Sequence, residues 1–74
     1  MGYYTTVRAV NSSGKCVKAE ISISGKSKGF TNTDTGELSF DLSSNSTYEV
    51  SAKQFGSKGY GKVKGGSTTT IRIP

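Results

Sequence analysis

Polar and apolar residues alternate in five stretches of this chain, and that period of two constrains its fold more than any other feature. In residues 16–24 (CVKAEISIS), Val17, Ala19, Ile21 and Ile23 fall on one side, with Lys18, Glu20, Ser22 and Ser24 on the other. Residues 37–42 repeat the pattern with Leu38, Phe40 and Leu42, and residues 47–53 with Tyr48, Val50 and Ala52. Residues 3–10 put Thr5, Val7 and Ala9 on one face, and residues 68–73 end with Ile71 and Ile73. Successive side chains of a strand point to opposite faces, so each stretch reads as a strand with one face on a core. No segment repeats apolar residues at helical spacing.

Turn formers separate these stretches. Asn11, Ser12, Ser13 and Gly14 follow the first strand, and residues 25–29 (GKSKG) read as a glycine-bounded basic loop. A short strand is expected over residues 30–33, then a hairpin turn at Asp34, Thr35 and Gly36, and a further turn over residues 43–46. Residues 55–61 read as glycine-rich and irregular, residues 60–64 as a short strand around Val63, and Gly65 and Gly66 as a turn. Short strands punctuated at this spacing mark a sandwich or barrel. The expectation is an all-β, seven-strand β-sandwich of Greek-key type, forming a single domain over residues 1–74. Its expected core is Val7, Val17, Ile21, Ile23, Phe30, Leu38, Phe40, Leu42, Tyr48, Val50, Val63, Ile71 and Ile73.

With 74 residues the chain has room for one small core, and a deep, water-excluded cleft is hard to build at that size. It holds no histidine, the commonest general base and zinc ligand, and Cys16 is its single cysteine. No nucleophile has an evident base to activate it, so no catalytic residue, cofactor or metal site is expected. Asn32, Asp34, Glu37 and Asp41 surround one turn, but the glycine spacing and ligand number do not suit a calcium loop. An Asx-type turn built on Asp34 is the plainer reading. No apolar run has the length of a membrane span, and no membrane insertion is expected. As written the chain reads as intracellular; it reads equally as a domain cut from a longer exported protein.

Ten Lys and Arg against five Asp and Glu give a net charge of +5. Solubility alone asks for a charge of that order. The sharper candidate is a basic and aromatic cluster over residues 53–64, formed by Lys53, Phe55, Lys58, Tyr60, Lys62 and Lys64, with Lys26 and Lys28 on a second loop. Lysines beside rings available for stacking suit a single-stranded nucleic acid or another polyanion. Against that, Phe55 reads equally as a cap on the sandwich. A protein or glycan partner is the leading expectation and nucleic acid the alternative. The chain is expected to be a monomer, or a dimer paired through its last strand.

In their order, these pieces resemble the carboxypeptidase regulatory-like domain, a transthyretin-like β-sandwich. The matching pieces begin with residues 7–10, then Ser13, Gly14 and Lys15, and Val17, Ala19, Ile21 and Ile23. They continue through residues 33–36, Leu38 and Phe40, then Tyr48, Val50 and Ala52, then Gly59 and Tyr60, and finally Ile71 and Ile73. Residues 53–58 form a longer stretch than the family shows, and Lys18 replaces a small residue. The resemblance implies a transthyretin-like or immunoglobulin-like sandwich with Tyr60 equally suited to its core, and an accessory domain acting as folding aid, spacer or binding module. The related B-type repeats of collagen adhesins form a Lys–Asn isopeptide bond; here residues 68–74 offer no Asn or Asp, and Ala52 replaces the assisting Glu, so that bond is not expected.

Overall fold

A computed structural model describes residues 2–74. The described residues form seven strands: β1 (Tyr3–Val10), β2 (Glu20–Ile23), β3 (Lys26–Phe30), β4 (Glu37–Leu42), β5 (Thr47–Gln54), β6 (Ser57–Lys64) and β7 (Thr68–Arg72). They form two sheets, one of three strands in the order β4-β1-β7 and one of four in the order β3-β2-β5-β6. The chain is an all-β sandwich. In the constant-type immunoglobulin arrangement the first and second strands are neighbours. Here β1 is flanked by β4 and β7, pairing antiparallel with the first and parallel with the second.

The alternation predicted the inward faces well. Thr5, Val7 and Ala9 of β1 are fully buried against Ile21, Ile23, Val50, Ala52 and Val63 of the opposing sheet, with Leu42, Ile71 and Ile73 completing the core. Val17, Leu38, Phe40 and Tyr48 are only partly buried at its margin. Phe30, expected inside, stands 57% exposed.

Three boundaries differ from expectation. The basic stretch GKSKG is not a loop: Ser24 and Gly25, at φ 51° and 87°, form a two-residue turn, and β3 follows at once. Both central residues at positive φ is the type I′ geometry, whose twist matches that of the strands it joins. Phe55 and Gly56, at φ 47° and 81°, make the same turn between β5 and β6. The segment read as irregular is therefore the second half of a hairpin. The third difference lies at residues 31–36, which carry the chain from one sheet to the other instead of closing a hairpin within one.

Buried Thr31 holds that crossing in place. Its Oγ1 accepts a hydrogen bond from the Ala19 amide at 2.8 Å and donates to the Val17 carbonyl at 2.7 Å. Asn32, not Asp34, supplies the Asx turn, its Oδ1 accepting from the amides of Asp34 (2.7 Å) and Thr35 (3.3 Å). Residues 17–19 stay outside the ladder of β2, tethered by Thr31 and by the bond from the Val17 amide to the Ala9 carbonyl.

The two sheets close on each other where β6 meets β7 and stand further apart at β3 and β4. Gly59 and Gly61 occupy inward positions of β6: a Cβ on Gly59 would collide with the Arg72 carbonyl, and one on Gly61 with the Ile71 side chain. Side-chain-free positions let β7 lie directly against β6.

Candidate functional site

The pairing register lays out the outer face of the four-stranded sheet. Glu20 pairs with Phe30 on β3 and with Lys53 on β5, and Lys53 pairs with Lys58 on β6. The next residues, Ile21, Ala52 and Gly59, are buried, so Phe30, Glu20, Lys53 and Lys58 form one row directed at solvent. Ser22, Ser51 and Tyr60 make the second row, Glu49 and Lys62 the third, and Thr47 and Lys64 the fourth.

Lys58, Tyr60, Lys62 and Lys64 thus share one face of β6. Tyr60 is 73% exposed and is not a core residue, because the inward positions beside it belong to Gly59 and Gly61. Lys53 joins this face through its pairing with Lys58.

Lys26 and Lys28 lie elsewhere. A bulge between Ile21 and Ser22 places Gly29 opposite the first and Ser27 opposite the second, leaving Lys28 unpaired in register. Both lysines open onto the gap between β3 and β4, beside Asp41 and Tyr48. There the Tyr48 hydroxyl and Ser44 share a hydrogen bond of 2.9 Å. Hydrogen bonding to Ser44, then to Ser43, holds this hydroxyl below the usual phenol range, with the Lys28 charge acting in the same direction.

Phe55 is 98% exposed at the tip of the β5–β6 hairpin and caps nothing. It and Phe30 border a groove of about 650 Å³, floored by residues 16–20 and flanked by Lys53 and Gln54. The Lys18 ammonium sits 5.5 Å from the centroid of the Phe30 ring, within cation–π range. Cys16 also lines the groove, its Sγ accepting a hydrogen bond from Arg8 Nη2 at 3.0 Å; that bond is the first cause raising the Arg8 guanidinium above its ordinary value.

No family model matches the chain, and no curated protein is significantly similar to it.

The groove brings together residues that the sequence did not connect. Phe55 and Lys53 belong to the expected cluster, whereas Phe30 reads as core and Lys18 as an outward-facing residue of its strand. The Ser24–Gly25 dipeptide was the available signal for β3, since a two-residue turn there extends the strand back to Lys26; the bulge between Ile21 and Ser22 then shifts Phe30 from opposite Ala19 to opposite Glu20.

Two local rules are broken at Phe55. A bulky residue occupies the left-handed region, where Asn or Gly is preferred, and a large apolar side chain is left in water. A Phe55→Asn variant is expected to gain about 1 kcal/mol from relief of this conformation. For a domain of this size that is a rise in melting temperature of roughly 4–8 °C. Calorimetry checks it, and a lowered melting temperature would show that the Phe55 ring contributes to the fold.

Proposed function

We propose that this chain is a non-catalytic interaction module that docks a partner protein at the end of the sandwich where Phe30 and Phe55 stand exposed. The observation that carries the reading is Phe55, fully exposed and in a conformation costly for its side chain. Strain held at a position with no packing role is characteristic of binding and clamp sites. Exposed aromatic side chains beside a concave apolar surface are also the commonest anchors of protein interfaces. The motifs that resemble the carboxypeptidase regulatory-like, transthyretin-like domain support the same class of role, as does a sequence without histidine.

Panning a random peptide library displayed on phage against the domain tests this. Enriched peptides are expected to lose on the order of tenfold or more in affinity toward a Phe30→Thr/Phe55→Asn variant. Absence of enrichment, or equal binding to both proteins, removes this end of the sandwich as the docking site.

The face of β6 supports a second reading, a polyanion surface. Lys58, Lys62 and Lys64 project on one side around Tyr60, with Lys53 adjoining. Cations along a backbone track with a ring for base stacking suit a single strand of nucleic acid. Binding of that kind weakens steeply with salt.

A further inference from the structure

We infer that the groove between Phe30 and Phe55 takes an acidic stretch of the partner that also carries aromatic or aliphatic side chains. The inference rests on the docking reading above and names the chemistry of what docks. Lys53 and Lys58 are directly opposed across β5 and β6, an arrangement that disfavours the isolated sheet. The same hairpin sets Glu49 opposite Lys62 four pairs further on, so its geometry does not require like charges to face each other.

A third cation, Lys18, lies over the Phe30 ring at the groove wall. Glu20 is the carboxylate of the lining, and its Oε2 already accepts a hydrogen bond from Ser27 Oγ at 2.9 Å. The groove therefore offers aromatic walls under a rim with surplus positive charge. Apolar side chains of the partner enter between the two rings, while its carboxylates bridge Lys53 and Lys58 and reach Lys18. Electrostatic complementarity of this kind sets partner choice and association rate more than raw affinity. Glu20 already stands opposite Lys53 on β2, so it is Lys58, at the end of the row on β6, that gains a carboxylate neighbour when the partner is present, which gives the pairing a role in recognition.

The test is a nitrogen–proton NMR titration of the labelled domain with three probes, at low and moderate salt. The probes are a short peptide of alternating Glu and Phe, its Lys-and-Phe counterpart, and a short oligothymidine. The acidic peptide is expected to shift the amides of residues 16–20, Phe30 and residues 53–58, with the Lys counterpart binding far more weakly. Lys53→Glu and Lys18→Glu should each weaken the acidic peptide by on the order of tenfold. Both replace exposed side chains, and retained amide dispersion verifies the fold. Equal binding of both peptides, lost in Phe30→Thr/Phe55→Asn, would overturn the charge assignment while leaving the docking site in place. Failure of both peptides to shift these amides removes the docking site as well. Oligothymidine shifts along residues 58–64 with both peptides silent would replace it with the polyanion face.

Discussion

A Gly59→Val variant is expected not to fold, giving a collapsed amide proton spectrum in place of a dispersed one. The inward side of β6 at this position faces the β7 backbone, and any Cβ there meets the Arg72 carbonyl. A backbone group held in a strand cannot rotate aside as a side chain can, so one of the two strands must move. Moving β7 breaks its parallel ladder with β1 and withdraws Ile71 and Ile73 from the core. Gly61, two residues away on the same face, provides the contrast. A Cβ there meets the terminal methyl of Ile71, the far end of a flexible side chain. Gly61→Ala should therefore still fold, and shortening the neighbour in a Gly61→Ala/Ile71→Val double variant should restore part of the loss. Wild-type dispersion in Gly59→Val would mean that β7 does not lie against β6 as described.

Ile71→Ala has the second largest expected effect. Ile71 is 2% exposed and fills the space left open by Gly61, linking the last strand of one sheet to the edge of the other. Truncating a buried isoleucine to alanine costs about 2–5 kcal/mol, by lost transfer energy and the cavity left behind. The site can relax little, because the glycine beneath it has no side chain to fill the void. A domain this small rarely has more than roughly 3–5 kcal/mol to lose. Urea titration should show the unfolding midpoint falling to near zero denaturant; a shift of less than half that size would place Ile71 outside the core.

Much of this architecture was legible from alternation alone. Thr5, Val7 and Ala9 on β1, Leu42 on β4 and Val50 and Ala52 on β5 point inward as their parity requires. The misreadings gather where a residue's type suggested one thing and its position another. Glycine and lysine are weak strand formers, so GKSKG and the run from Phe55 to Gly61 resembled loops. In the folded chain Gly59 and Gly61 are small because β7 lies against them, and the lysines between them face water. Tyr60 then follows by parity to the outside. Phe30 illustrates the opposite failure, since a large apolar residue reads as core wherever it falls. Nothing within its own strand reveals that it lies across from Glu20, on the solvent face. That information resides in a turn six residues earlier in the chain and in a bulge, and it decides where the groove forms.

The parallel pairing of β1 with β7 also sets how this domain would carry tension. Tyr3 begins the first of these strands and Arg72 ends the other, and the two strands run in the same direction side by side. A pull applied at opposite ends of the polypeptide therefore acts along the seam between them. It loads the five residue pairs from Thr6 and Thr68 to Val10 and Arg72 together, in shear. The hairpins β2–β3 and β5–β6, gripped at their open ends, would instead come apart one pair at a time. Strung between neighbouring domains, this sandwich would transmit force through its strongest direction, leaving the groove at Phe30 and Phe55 off the stressed seam.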